Sequence, residues 1–549
     1  MFLVAFLSTS IILSMGVEGL ADQPSVEELR KEIGFNITLT TFWDEAERQS
    51  AEIFWAQPTT VKEIQKLVLA AKKFGLHVRP VGGRHSWSPL FADRGNIGLD
   101  LAMLKGKKFR FDKKRMLVSS LASGTMEELH AFNKKNGVTI PSAPDLGDIT
   151  LQGTTGTSAH GSIMEDGPTA TYVYAIDLVD GQGNVRQFNE DDHKVIITAC
   201  KVHLGMCGII YKTTVKVVPD RVFKFSISEI KVSDLILNQE NRKDFVMRNY
   251  GLFTMWLVFS GASAREIQAR ESDPLRRPPD SWNPANDLVR VWTMNPVNND
   301  SITPDKVSFE DSFQLKDGTV ITGTADYRMA SETIIFPAWT GTNVHLRSNV
   351  AWATPESKDF SASQKTIENF FDVYETAIKR LGLYTDSFGF FRWISHKDDC
   401  TLCHTKVADD DFRLILELEL APSCRPCNDH LLDEQTRDKV WSSTVGVGVM
   451  SNNSRILPHW GKYYDYIPGM IDHLRQNYGT NFDDFIKIRN EADLDPDNMF
   501  TNSHLRTLFH EAIVRNAETK TCSSVKQVNT MAKKLTKLLD DMDLETCNA

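Results

Sequence analysis

Val81-Gly82-Gly83-Arg84-His85-Ser86 stands where a short strand runs into a turn, with a histidine directly after paired glycines. Upstream, Thr60-Val61-Lys62-Glu63 has the pattern of a capping box, and Val61, Ile64, Leu67, Val68 and Ala71 recur at helical spacing as far as Phe74. Gly75 ends that helix, and Leu76 to Val81 reads as a strand. Without Cβ atoms, Gly82 and Gly83 leave the backbone free to turn its N–H groups toward an anion such as a phosphate. A Gly-Gly turn is equally an ordinary strand ending, so other parts of the chain have to decide.

A second glycine-rich stretch, Gly153-Thr154-Thr155-Gly156-Thr157-Ser158-Ala159-His160-Gly161, alternates small hydroxyl residues with glycines around a histidine and suits close backbone approach to a ligand. A third, Val202-His203-Leu204-Gly205-Met206-Cys207-Gly208-Ile209-Ile210, leads into the strand-like Tyr211 to Val218, with glycines where a chain packs tightly under a flat ring. No GxGxxG follows a first strand, so the signature of a nicotinamide-type dinucleotide fold is missing. Gly181-Gln182-Gly183 reads as a hairpin turn between Ile176–Val179 and Val185–Phe188.

In order and spacing these three elements resemble the FAD-binding domain of the vanillyl-alcohol-oxidase group, also called the p-cresol-methylhydroxylase type. Within it the likeness is to the sugar-alcohol (alditol) and aldonolactone oxidases. Pro458-His459-Trp460-Gly461-Lys462 is similar to that subfamily's motif beside the flavin, and Leu494 to Phe500, with Asn502 and Leu505, is similar to its closing segment. The matches span roughly residues 50 to 510. The resemblance implies an α+β fold, in which a two-part FAD-binding domain is covered by a substrate-capping domain built on an antiparallel sheet. It implies FAD as cofactor, joined covalently to His85, with Gly82, Gly83, Arg84, Ser86, Gly153, Gly156, Thr157, His160, Gly161, Gly208, Ile209 and His459 as the other cofactor-binding candidates.

Oxidising an alcohol carbon moves a hydride to the flavin while the hydroxyl proton leaves, so such a site needs a base and a cation. Lys462 is the candidate cation, placed to answer negative charge on the reduced ring or to bind the substrate hydroxyl. Arg392, in Gly389-Phe390-Phe391-Arg392-Trp393, lines up with the arginine of a subfamily Glu-x-Arg pair that contacts the polyol. The glutamate is absent: Phe390 stands there, and a sugar alcohol would lose a hydrogen bond worth ~1 kcal/mol or more. The competing reading of Arg392 is a guanidinium stacked between aromatic strands. Glu417 and Glu419, on the alternating stretch Leu414 to Leu420, are alternative sources of a carboxylate.

The 549 residues are 41% hydrophobic, enough for two substantial packed domains, which excludes a disordered chain. A net charge of −10 without a concentrated basic run argues against nucleic acid or an anionic membrane surface as partner, and for a small neutral polyol or lactone. Phe2 to Val17 is apolar but too short and too serine-rich for a membrane span of ~20 residues. It reads as a signal peptide cut before Asp22, although no Lys or Arg precedes it, and no span is expected once it is removed. Sequons at Asn36, Asn299 and Asn452 and the eight cysteines agree with an oxidising secretory route. Cys400-x-x-Cys403 and Cys424-x-x-Cys427, separated by 20 residues, read either as disulfides or as a four-thiolate zinc ribbon. Cys522 with Cys547 is a possible tail staple, and Cys200 and Cys207 are expected buried or paired.

The organisation expected is a leader over 1–21, a lead-in segment over 22–47, the FAD-binding domain over 48–220 and the substrate domain over 221–455. A segment over 456–510 then returns to the flavin, followed by a helical tail over 511–549 striped by Val525, Val528, Met531, Leu535 and Leu538. Arg270 to Asp300, with five prolines, is expected to be an irregular surface excursion. The chemistry expected is oxidation of a hydroxyl carbon with oxygen as acceptor, giving hydrogen peroxide. A dehydrogenase using another acceptor and a noncatalytic carbohydrate-binding glycoprotein on the same fold stay open as alternatives.

Overall fold

The computed structural model describes residues 23–43, 49–163, 165–273, 279–299, 301–305, 307–333, 350–381, 386–395, 400–405, 414–423, 445–450 and 455–517. The helix Val61–Phe74 forms as its spacing predicts and buries Ile64, Leu67, Val68, Ala70 and Ala71. Each large aliphatic side chain on that face contributes about 1.5–3 kcal/mol. Thr60 caps it by accepting the Glu63 N–H at 3.3 Å, but the Glu63 carboxylate accepts from Thr59 N–H at 2.5 Å, so the expected capping box closes one residue early. Gly75 ends the helix at φ 66°. The following strand begins at Val78, two residues later than expected, because the His77 N–H is taken by the Asn96 side chain at 2.8 Å.

Val78–Val81 lies at the edge of a four-stranded sheet, parallel to Ile97–Asp100, which is itself parallel to Gln49–Ala56; Ile37–Trp43 completes the sheet antiparallel. Beside it is a five-stranded antiparallel sheet ordered Phe109–Asp112, Leu117–Leu121, Ile209–Lys216, Val173–Val179, Val185–Asn189. The hairpin expected around Gly181-Gln182-Gly183 is present, with Val179 opposite Val185. Val179, Ile209 and Tyr211 of this second sheet, with Met499 and Phe500 from near the C-terminus, pack into the core under the first.

The third sheet has nine antiparallel strands, ordered Phe309–Gln314, Val320–Met329, Val222–Lys231, Leu288–Pro296, Gly251–Leu257, Asp386–Ser395, Leu414–Ser423, Val350–Glu356, Leu457–Pro458. Helix Ser361–Leu381 covers one face: Phe370 and Phe371 meet Phe391 at ring centroid distances of 6.0 and 5.9 Å. Alternation along the strand then sends Phe390 and Arg392 to the opposite face. The expectation for 270–300 needs correcting, because Leu288–Pro296 is a central strand of this sheet. Pro284 sits in a 3-10 turn and Pro296 at the strand's last position, leaving Leu288 to Asn295 free of proline, so the prolines mark the strand's limits and do not exclude it. Pro274 and Pro278 lie outside the described residues, as do the leader and the expected tail helix. No described helix is long and apolar enough to cross a membrane.

Cys200 is bonded to Cys207 and Cys400 to Cys403. The second bond removes two of the four thiolates a zinc ribbon would need, and no metal-holding cluster occurs among the described residues. Cys424, Cys427, Cys522 and Cys547 lie outside them.

Arg79, on the edge strand Val78–Val81, is fully buried and donates to three main-chain carbonyls: Leu90 at 2.8 Å, Leu204 at 2.6 Å and Phe500 at 2.5 Å. Burial pulls its pKa down to about 10, leaving it charged at neutral pH. Arg79→Met is expected to leave three buried carbonyls without donors and to lower stability by about 3 kcal/mol or more, read as a fall in the urea midpoint at unchanged slope. A midpoint equal to that of the wild type would refute this role.

Candidate active site

The Gly82–Ser86 loop closes onto the segment before the second glycine-rich stretch. A Cβ on Gly82 would lie 2.7 Å from Thr150 Oγ1, and one on Gly83 2.9 Å from the Asp148 carbonyl, so both glycines are demanded by loop-on-loop packing. Arg84 takes the left-handed conformation at φ 66°, and the N–H groups of Gly83, Arg84 and Ser86 make no backbone hydrogen bond among the described residues. Consecutive N–H groups around a left-handed residue form a concavity suited to an anion. His85 and Asp148 share a hydrogen bond of 2.8 Å between Nε2 and Oδ2, both side chains reaching solvent. That bond is the largest influence holding the Asp148 carboxyl below the usual range.

Gly153, Gly156, Thr157, His160 and Gly161 sit on and after the short helix Leu151–Gly156, which Thr150 caps through the Gly153 N–H. A Cβ at Gly156 would meet the His203 ring at 2.8 Å, one at Gly161 the Ala143 carbonyl at 2.7 Å, and one at Gly208 the Val179 carbonyl at 2.9 Å. At these glycines the neighbours that exclude a side chain are protein atoms, which lets the three loops stack. Gly153 is different, with only the Thr150 hydroxyl at 3.3 Å. Ile209 opens its strand with its side chain wholly in the core.

The segment from 459 to 462 lies directly against the first loop. Trp87 N–H donates to the Gly461 carbonyl at 2.8 Å, Ser88 donates to the Trp460 carbonyl, and a Cβ on Gly461 would stand 3.5 Å from Thr157 Cβ. His459 accepts the Gly461 N–H at Nδ1, 2.9 Å, so its neutral ring carries the proton on Nε2. His160 donates from Nδ1 to the Gly161 carbonyl at 2.8 Å, which leaves Nε2 as an acceptor. His404 completes a buried imidazole cluster, 4.6 Å from His459 and 5.6 Å from His160 between ring centroids. The Trp460 indole donates to the Leu402 carbonyl at 2.6 Å, inside the turn closed by Cys400–Cys403. Lys462, half-buried, continues the turn with its N–H on the His459 carbonyl at 3.0 Å.

Arg392 is buried, with its guanidinium carbon 4.6 Å from the Phe253 ring centroid and 5.5 Å from that of Phe390. The stacked reading is therefore part of its environment, and an ion pair is the other part: Nη2 lies 3.6 Å from Asp145 Oδ2. Glu417 and Glu419 stand opposite Arg392 and Phe390 in strand register, and their side chains lie outside the described residues. The structure thus brings His85, Thr157, His160, His459 and Lys462 into one neighbourhood and joins Arg392 to it through the 142–150 loop. Sequence reasoning missed Arg79, Asp145, Asp148, His203 and His404. The available signals were a carboxylate pair three apart in Pro144-Asp145-Leu146-Gly147-Asp148 and a histidine directly after Cys403.

The family of FAD binding domains matches residues 54–189, and the D-arabinono-1,4-lactone oxidase family matches residues 449–508. Two solved structures share the fold: cholesterol oxidase from B. sterolicum (TM-score 0.65, 14% identity, 89% of this chain and 100% of that one) and a VAO-type flavoprotein from Myceliophthora thermophila C1 (0.59, 13%, 82% and 78%). The chain thus has the fold of the vanillyl-alcohol-oxidase-type flavoproteins, in the α+β arrangement expected from sequence, and carries an FAD-binding domain over residues 54–189. Its relatives by sequence are aldonolactone oxidases. It is 28% identical to L-gulonolactone oxidase of Mus musculus over 177 residues, 32% of this chain and 40% of that one. It is 25% identical to D-arabinono-1,4-lactone oxidase of Debaryomyces hansenii over 240 residues, 41% and 42%. The chain therefore spans less than half the length of either relative.

Burial lowers the pKa of His203 to about 4, and that of His130, whose ring nitrogens have no partner among the described residues, to about 4 as well. Both are neutral in the fold at pH 5, whereas the unfolded chain protonates them below about 6.5. Since the unfolded state binds the extra protons, stability present above pH 6.5 is lost as pH falls toward 4, by up to about 1.4 kcal/mol per pH unit for each histidine. His130→Leu is expected to flatten this limb in urea titrations between pH 4 and 7. An unchanged slope would contradict it.

Proposed function

We propose that the protein is an FAD-dependent oxidase acting on a hydroxyl carbon of a small neutral lactone, sugar or polyol, with oxygen as acceptor and hydrogen peroxide as product. One observation carries this reading: the 459–462 turn, which bears Lys462, rests on the 85–88 loop and on Thr157, so that Lys462 and the candidate attachment histidine lie on adjoining loops. The donor set fits FAD, because the N–H groups around Arg84 can face a pyrophosphate and the tightly stacked glycine loops can border a flat ring. When bound, the flavin supplies a two-electron acceptor at its ring N5.

The remaining work falls to the chain. In this reading His85 tethers the cofactor, and Asp148 holds its imidazole in orientation through the 2.8 Å bond. Lys462 presents a positive charge where negative charge develops, and Arg392 orients a substrate hydroxyl. His459, its Nδ1 occupied by the Gly461 N–H, offers Nε2–H as a further donor. The aromatic surface of Phe253 and Phe390 keeps water from the reacting carbon.

Secretion belongs to the same proposal. Two disulfides and the exposed sequon asparagines Asn36 and Asn299 support it; Asn452 and the leader lie outside the described residues.

Purified protein is expected to stay yellow after acid precipitation, and His85→Ala to lose that acid-stable colour. Colour persisting in the variant would place the attachment elsewhere. In anaerobic stopped flow with D-arabinono-1,4-lactone or L-gulonolactone, Lys462→Met is expected to slow flavin bleaching about 100-fold or more. An equal rate would reduce Lys462 to packing.

A further inference from the structure

The loop between strand Val138–Thr139 and helix Leu151–Gly156 touches both halves of the site. Asp148 meets His85, and three residues earlier Asp145 meets Arg392, so one turn holds the candidate attachment histidine and the arginine of the sheet. Arg392 is 8% exposed and Asp145 18% exposed at the side chain, which puts the pair at the inner edge of solvent access. Phe253 and Phe390 flank the guanidinium, and an aromatic face cannot neutralise a charge. Asp145, a carboxylate that answers it, arrives from the flavin-binding half of the chain.

We propose that Asp145 is the carboxylate of the substrate site, forming with Arg392 a paired acceptor and donor that grips a substrate hydroxyl. The inference rests on the functional reading above. At 3.6 Å between its nearest atoms, the contact is looser than a hydrogen-bonded bidentate pair and leaves acceptor capacity on Asp145. A hydroxyl has one proton to donate and lone pairs to accept with, so a single substrate O–H satisfies both partners. Among the described side chains Asp145 is the carboxylate paired with Arg392, while Glu417, opposite Arg392 in strand register, has its side chain outside them. Residues 390 and 392 share a sheet face, so a carboxylate introduced at 390 would stand beside the same guanidinium from the opposite side.

The test uses the flavin-loaded full chain, with anaerobic bleaching by D-arabinono-1,4-lactone, L-gulonolactone and a panel of alditols as the readout. Asp145→Asn and Asp145→Ala are expected to keep the acid-stable flavin and to lose tenfold or more in kcat/KM, chiefly through KM. Asp145→Glu should remain within about fivefold of the wild type, since a hydrogen bond to a charged group survives a one-methylene shift better than loss of the charge. Phe390→Glu placed in the Asp145→Ala background should recover part of the loss. If that double variant does not fold, the contrast between Asp145→Glu and Asp145→Asn decides alone. Unchanged kcat/KM in Asp145→Asn, with only a lower melting temperature, would reduce Asp145 to a structural counter-ion and overturn the proposal while leaving the oxidase reading intact. A wild-type protein bleached by none of these compounds would overturn both.

Discussion

Three segments far apart in the chain end in carbonyl groups that point at one buried guanidinium. Leu90 follows the histidine loop, Leu204 belongs to the third glycine stretch, and Phe500 lies near the end of the described chain; Arg79 binds all three. A buried cation is tolerated only when fixed dipoles or charges replace its water, and here the dipoles come mainly from the main chain, with Asp93 and Asp495 acting at longer range. The arrangement is mutual: the carbonyls need donors, the cation needs acceptors, and neither is satisfied unless the three loops converge. Leu204 is held at φ 47° and Gly205 at φ 73°, where a Cβ on Gly205 would lie 2.9 Å from the guanidinium. The backbone of the third loop is thus shaped by the arginine it serves.

Around this anchor the C-terminal part of the chain does more than fill space. The Asp495 carboxylate accepts the N–H groups of Met499 and Phe500, fixing the turn that offers Phe500's carbonyl, and Leu494 accepts the Gly181 N–H. Asn502 donates to the carbonyls of Pro89 and Phe91, bracing the far end of the histidine loop. The nine-stranded sheet then supplies the other wall of the site by simple alternation, with Phe391 and Trp393 in the core beneath and Phe390 and Arg392 on the face toward Asp145.

Much of this was legible in the sequence where a local pattern carries a local cause. Helical spacing located Val61–Phe74, the Gly-Gln-Gly turn located its hairpin, and the order of the glycine-rich stretches pointed to the flavin fold. What stayed hidden was either non-local or ambiguous in residue type. Nothing marks Arg79 among the chain's arginines, because its meaning lies in three carbonyls contributed by other segments. Asp145 and Asp148 resemble any acidic turn until their partners, 247 and 63 positions away, are placed beside them. The prolines between 270 and 300 misled because they punctuate a strand at its ends, and composition over a window does not distinguish an interrupted strand from a loop. The glycine patterns stood out in the sequence, but the protein neighbours that most of them admit belong to other segments and are not written there.

The dependence of residue 79 on residue 500 also sets a schedule for biosynthesis. A chain emerging from the ribosome has its histidine loop and its first glycine loops long before the acceptor at Phe500 exists, and closure must wait through more than 400 residues of translation. Until then at most two of the three carbonyls that the folded chain places on Arg79 have been made. The three-way closure is thus among the last contacts the chain can make, and the last described helix, 503–517, begins just three residues past it.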